Sequence, residues 1–167
     1  MMNVKRITQH LLFPKYRLRS FFNADTINLI TLATQASERK HSGQICFAVE
    51  GSLSLSALMK NEPPRKRAVD VFSQLRVWDT ECNNGVLIYV LLADKAVEII
   101  ADRGVNKVVD LSTWADVCKK VESNFSEGDF RNGSLIGIES VGVILENFFA
   151  FNSSQKNEIP DNPILLD

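Results

Sequence analysis

The chain has 167 residues, 45% of them hydrophobic and 23% charged, a length and composition that fit one globular domain and exclude a disordered tail. Eight Gly and five Pro exclude a collagen-like or low-complexity chain. With 19 Lys and Arg against 20 Asp and Glu the net charge is −1, so no nucleic acid is expected as a partner.

Cys46, Cys82 and Cys118 are odd in number and form no Cys-x-x-Cys pair, against both a disulfide framework and a zinc knuckle. A reduced, cytoplasmic chain is the simplest expectation. The N-terminus offers only Leu11-Leu12-Phe13 as an apolar run, far short of a signal peptide. The most apolar stretch, 135–151, carries Glu139 and Glu146, and charges at mid-bilayer depth are expensive, so no transmembrane segment is expected. Residues 1–20 read as a basic leader, 21–151 as an α/β domain and 152–167 as a polar tail with an apolar tip, Ile164-Leu165-Leu166. Charge is bipolar: residues 1–40 hold seven basic and two acidic side chains, residues 121–167 two basic and eight acidic. Two solvated faces account for this, as does docking of the leader on an anionic membrane or an acidic partner.

Past the leader, Asn23 and Asp25 can cap a helix in which Ile27, Ile30, Ala33 and Thr34 recur at helical spacing, with Arg39 and Lys40 at its negative end. His41-Ser42-Gly43 breaks it. Residues 44–50 then place Ile45, Phe47 and Val49 on one face and small Cys46 and Ala48 on the other, the pattern of a strand covered on both sides. Pro63-Pro64 opens a crossover helix with Ala68, Val69, Phe72 and Leu75 as its buried stripe, and its basic run Arg65-Lys66-Arg67 suits a solvated helix start. The second strand, 86–92, is therefore parallel to the first. Asp94-Lys95 turns the chain into an antiparallel partner over 96–101. Ser112 can cap a third helix carrying Trp114, Val117, Cys118 and Val121, closed by Phe125. A fourth, over about 128–149, places Gly133 and Gly137 where its backbone can approach the sheet and Glu139 and Glu146 on a wet face. The fold expected is an α/β three-layer sandwich: a small mixed sheet, parallel pair plus antiparallel hairpin, flanked by helices.

Material for nucleophilic catalysis is scarce. Only His10 and His41 are present, and neither a Gly-x-Ser-x-Gly elbow nor a phosphate-cradling Gly-x-x-x-x-Gly-Lys loop occurs. Cys46 and Cys118 sit at core positions; Cys82, in an exposed loop, is the one candidate reactive thiol. Topology gives a better constellation. The loop entering the second strand and the loop leaving the third must share one end of the sheet. That end gathers Asp79, Glu81, Asn83, Asn84 and Asp102, with Asp110 further on, hard-oxygen donors of the kind that hold Ca2+ or Mg2+, while Arg103 can address a phosphate or a carboxylate. The same residues are also ordinary turn formers.

The segments that carry the strands, Ser42-Gly43-Gln44-Ile45-Cys46-Phe47-Ala48-Val49-Glu50, Val77-Trp78-Asp79-Thr80, Asn83-Asn84-Gly85-Val86-Leu87-Ile88-Tyr89 and Val97-Glu98-Ile99-Ile100-Ala101-Asp102-Arg103-Gly104, resemble the TPM-domain family from about residue 20 to 149. Asp129-Phe130-Arg131-Asn132-Gly133 and Ile159-Pro160-Asp161-Asn162-Pro163-Ile164-Leu165-Leu166 are similar to its short, soluble bacterial branch. The resemblance implies a helix-sandwiched sheet, divalent-cation binding through acidic loops in some members, and acid-phosphatase activity attributed to the family. Where the family has Asp-Asn-Gly before the central strand, this chain has Asn83, one charge fewer. Short bacterial members often stand beside membrane proteins of the LemA type, which implies such a protein as partner.

Two functions are expected from these readings. The first is a non-catalytic interaction domain, cytoplasmic and working beside a membrane protein, with the 79–85 and 102–104 loops as its recognition end and Arg103 as a contact. The alternative is a metal-assisted phosphatase in which Asp79, Asn83, Asn84 and Asp102 hold Ca2+ or Mg2+.

Overall fold

Residues 3–166 are described by the computed structural model. Its centre is a pair of parallel strands, β1 (Gln44–Glu50) and β2 (Gly85–Leu91), in register from Gln44 opposite Gly85 to Glu50 opposite Leu91, with every residue of both buried. Burial on both faces is what the apolar runs 45–49 and 85–91 require of central parallel strands. The crossover between them contains α4 (Leu55–Met59) and α5 (Pro64–Gln74), the latter opening on Pro64 as expected. A tight turn after β2 leads into β3 (Ala96–Ala101), antiparallel to it.

The alternation of side chains splits the core into two layers. Ile45, Phe47, Val49, Val86, Ile88 and Val90 face one way, onto α3 (Ala24–Glu38), α7 (Leu111–Ser126) and α8 (Phe130–Phe148). Cys46, Ala48, Leu87, Tyr89 and Leu91 face the other, onto Leu58 of α4 and Ala68, Val71 and Phe72 of α5. The result is the expected three-layer α/β sandwich.

The residues expected as a polar tail contribute a strand. Ile164–Leu166 forms β4, parallel to β1 on the side away from β2, and the sheet order is β3-β2-β1-β4. Without it β1, apolar on both faces, would be an open edge. The basic leader is likewise folded. It forms α1 (Val4–Leu11), which is pinned across the chain to Asp94 in the β2–β3 turn, and α2 (Lys15–Phe21), which buries Leu18 in the core. Arg6 donates to Asp94 from Nε (3.0 and 3.1 Å) and Nη2 (2.6 Å). His10 Nδ1 accepts from the Leu53 N–H at 3.0 Å, so its proton sits on Nε2 and points at Asp94 Oδ1, 2.8 Å away. Burial raises the Asp94 pKa, but the hydrogen bonds from Arg6 and His10 outweigh it and hold the carboxyl below its ordinary range.

Three local expectations change. The cap of α7 is Asp110, two residues before Ser112, so the helix starts at Leu111. Gly133 and Gly137 serve helix–helix contact more than the sheet: a Cβ at Gly133 would stand 2.6 Å from the Phe125 ring and one at Gly137 3.1 Å from Val121, both on α7, with Ile88 of β2 at 3.9 Å. Gly142 plays the same part toward α3, where a Cβ would meet the Ser37 hydroxyl. The short turn α6 (Arg103–Asn106) follows β3, where only a loop was expected. Among the described residues no helix is long and apolar enough to cross a membrane.

Gly85 is the tightest point at the start of β2, since a Cβ there would lie 2.1 Å from the backbone carbonyl oxygen of Val77. Gly85→Ala is therefore expected to cost about 3 kcal/mol of stability, the upper range for overpacking, read as a lowered midpoint in urea unfolding with unchanged slope.

Candidate recognition site at the start of the parallel strands

Because β1 and β2 are parallel, the segments entering both lie at one end of the sheet, and the antiparallel β3 delivers 102–104 to the same end. The backbone joins these loops directly. Asp102 N–H donates to Gly85 O at 2.8 Å and Gly104 N–H to Asn83 O at 3.0 Å. The contact is close enough that a Cβ on Gly104 would stand 2.4 Å from the Asn83 carbonyl oxygen and 3.0 Å from that of Cys82. Asn83 has a φ of 52°, a left-handed conformation that Asn tolerates.

The side chains are less united than the backbone. Asp79 is exposed and paired with Arg76 at 2.5 Å within one turn. Asn83 Oδ1 accepts from Arg103 Nε at 3.0 Å, a hydrogen bond to an uncharged acceptor. Asn84 is fully buried: its N–H donates to Thr80 Oγ1 at 3.1 Å and its Nδ2 to Ser42 O at 2.7 Å, while its Oδ1 has no hydrogen-bond partner. Asp102 caps α6, its Oδ1 accepting from Arg103 N–H at 2.7 Å, and its buried Oδ2 also lacks a partner.

The pleat sends these last two apart. Asn84 follows the alternation of Val86 toward α3 and α8, whereas Asp102 follows Ile100 toward α5. Each of the four residues expected as metal ligands thus has partners of its own, with one oxygen of Asn84 and one of Asp102 left without any. Asp110 is the exposed cap of α7 and Glu81 offers its N–H to Glu158 Oε2 at 2.9 Å. Among the described residues no three His, Cys, Asp or Glu side chains form a group that could hold a metal. A hard cation fits only in part, at Asp102 Oδ2, where main-chain carbonyls and water would have to complete the shell.

The same end holds a polar cavity of about 300 Å3, lined by Glu38, His41, Gln44, Gln155 and Asp161, with Arg39 and Lys156 among the residues around it. The C-terminal segment builds its wall. Gln44 Oε1 accepts from the N–H groups of Glu158 and Ile159 at 2.8 and 3.1 Å, and Gln155 Nε2 donates to Ser42 O at 2.6 Å. Glu38 Oε1 accepts from Ile45 N–H at 2.7 Å. Burial pushes the Glu38 carboxyl up to about 8; the Ile45 N–H opposes this and the facing Asp161 adds to it. These residues escaped sequence reasoning because three of them lie in the segment read as a tail.

Ser37 Oγ lies 2.9 Å from His41 Nε2, the spacing of a nucleophile and its base. The hydroxyl is wedged against Gly142, 2.2 Å from where a Cβ there would stand, and His41 is 2% exposed, so the pair locks α3 to α8. Burial lowers the His41 pKa and keeps the ring neutral at pH 7. Burial also pushes the Cys46 and Cys118 thiols up to about 12, leaving both inert. Cys82 is exposed and free.

The exposed surface of this end is carried by Trp78 and its neighbours. Trp78 is 48% exposed, whereas the other tryptophan, Trp114, is 3% exposed in the core. The Arg76 guanidinium stands over the Trp78 ring, 5.8 Å from its centroid, and Arg103 is exposed on the loop joined to Asn83.

Glu38 binds a proton in the native state at a pH where an unfolded glutamate, near 4.5, is ionised. Between about 4.5 and 8 the folded chain thus holds the extra proton, and stability falls as pH rises through that window. Glu38→Gln keeps an acceptor for Ile45 N–H and removes the titration. Thermal melts across the window should show the parent losing stability toward alkaline pH and the variant flatter, and more stable than the parent at its upper end.

The TPM-domain family model matches residues 16–144. Among solved structures, the NMR structure of the BA42 protein from the psychrophilic bacterium Bizionia argentinensis is similar at 30% identity, covering 86% of this chain and 94% of that one with a TM-score of 0.75. The N-terminal domain of a P. gingivalis protein shares the fold at 14% identity, over 80% of this chain and 82% of its own, with a TM-score of 0.64. No curated protein sequence matches the chain. A family match over more than half of the residues, on the strands, loops and helices described above, makes this chain a member of the TPM-domain family.

Proposed function

We propose that this TPM domain is a non-catalytic recognition module that works beside a membrane protein, one of the LemA type being the candidate, and that its contact surface is the end where the 79–85 and 102–104 loops meet. The observation that carries the reading is Trp78, half exposed beneath the Arg76 guanidinium at the mouth of those loops, while Trp114 is buried. Trp and Arg are the residues that dominate binding energy at protein interfaces. Arg103, held toward Asn83 by its Nε, presents the rest of its guanidinium to a carboxylate of the partner. The cytoplasmic face of a membrane is where such a module would act.

The test is titration of the purified domain with the soluble part of a LemA-type protein, watched residue by residue by NMR. Shifts should concentrate at 76–85 and 102–104, and Trp78→Ala or Arg103→Ala should each weaken binding about tenfold or more, the scale of an interface hot spot. Binding that neither substitution changes would remove this surface from consideration.

A second reading, a divalent-cation site supporting phosphate-ester hydrolysis, is favoured by the partnerless buried Oδ2 of Asp102. A cation there would supply Lewis-acid polarisation of a phosphoryl oxygen. Asp102 would contribute to holding it. Calorimetry with Ca2+ and Mg2+ decides: heat of binding lost in Asp102→Asn supports a cation site, and hydrolysis of a generic phosphate ester above the Asp102→Asn level is needed before an enzyme is argued. Neither heat nor hydrolysis ends that reading.

A further inference from the structure

The opposite end of the molecule, where β1 and β2 finish, carries a surface of different character. Residues 1–24 contain five basic side chains and no acidic one. Folding arranges them around exposed apolar groups. Leu11 is 63% exposed, Leu12 73% and Tyr16 71%, all at the junction of α1 and α2, and Lys15 and Arg17 are exposed between and beside them. Behind Leu12 lies a groove of about 340 Å3 whose floor is aromatic, with Phe13, Phe21 and Phe130 lining it and Arg17 and Lys95 among the same lining residues. Phe21 and Phe130 are stacked, their ring centroids 4.1 Å apart. Three large apolar side chains in six residues facing water have no role in the core.

We infer that the α1–α2 junction is a docking surface for an anionic lipid bilayer, with Leu11, Leu12 and Tyr16 entering the interface and Lys5, Lys15, Arg17 and Lys95 meeting the phosphates. The exposed cations of the junction suit such a surface, and two carboxylates at this end are already held by internal partners. Asp94 is bound by Arg6 and His10, and Glu50 by Arg67 and Tyr89. Apolar side chains ringed by cations on short helices are what an interfacial membrane contact requires, Tyr being suited to the headgroup level. Each Lys or Arg near an anionic leaflet adds attraction that salt screens. An acidic peptide would use the cations and leave the exposed leucines without a place, so the bilayer accounts for both features.

The inference goes beyond recognition of a protein partner, and its test contains no partner. The full chain is floated with vesicles of phosphatidylcholine alone and of phosphatidylcholine with phosphatidylglycerol. Retention on the anionic vesicles, weakened by raised salt, is expected. Leu11→Ser with Leu12→Ser, and separately Arg17→Glu, should each reduce it about tenfold, while Trp78→Ala at the far end should leave it unchanged. No retention, equal retention on neutral vesicles, or retention unaffected by the junction variants would each overturn the proposal. So would a concentration-dependent dimer in sedimentation that Leu12→Ser dissolves, because the surface would then belong to a second copy.

Discussion

Everything about this molecule's layout depends on two strands that must be parallel. β1 and β2 are apolar on both faces, so each needs cover above and below, and a strand pair of that kind is joined by a crossover and not by a hairpin. The crossover puts α4 and α5 on one face; α3, α7 and α8 cover the other. It also fixes function-bearing geometry. Parallel strands start together and end together, so the molecule has two chemically distinct ends, and the antiparallel β3 then returns 102–104 to the starting end and takes the 92–95 turn to the finishing end.

The polar groups at the two ends are treated differently by the fold. At the finishing end buried carboxylates are matched: Glu50 takes two hydrogen bonds from Arg67, at 2.8 and 3.0 Å, and one from the Tyr89 hydroxyl at 2.6 Å. Burial and the neighbouring Glu50 charge push the Tyr89 phenol far up, so it stays a donor, which the geometry requires. At the starting end the matching is incomplete. Glu38 faces Asp161 across a cavity, and Asn84, Asp102 and Gln155 each keep a buried oxygen without a partner. Unsatisfied buried acceptors cost stability, and a chain keeps them where a ligand, ion or water can complete them.

Much of this was legible in the sequence, for identifiable reasons. Residues 44–50 and the following parallel strand announced themselves through their apolar runs, and Asn23 and Pro64 mark helix starts by capping chemistry that depends on nothing distant. The joining of the two loops followed from one antiparallel pairing. What was not legible is tertiary in origin. Ile164–Leu166 is too short to show periodicity and is a strand only because β1 offers an edge. Val4–Leu11 and Lys15–Phe21 have few buried residues each; the first is held by contacts 84 and 88 residues away, at Asp94, and the second by burial of Leu18 in the core. The register that sets Gly85 beside Asp102 also sets Asn84 and Asp102 on opposite faces, a consequence of the pleat that residue types alone do not reveal.

The two ends are separated by the length of the strands, seven residues at about 3.3 Å each, or roughly 23 Å. A domain lying on a bilayer through its α1–α2 junction would carry the 79–85 and 102–104 loops that distance from the lipid surface, facing away from it. Trp78 and Arg103 would then face whatever extends from the bilayer to that height instead of segments within it. The Debye length at physiological salt is about 8 Å, so the cations at one end and the carboxylates at the other act independently. Lipid attraction at the first would raise the local concentration of the module near its partner without altering the recognition surface at the second, because the rigid sheet between them holds both ends in fixed relation.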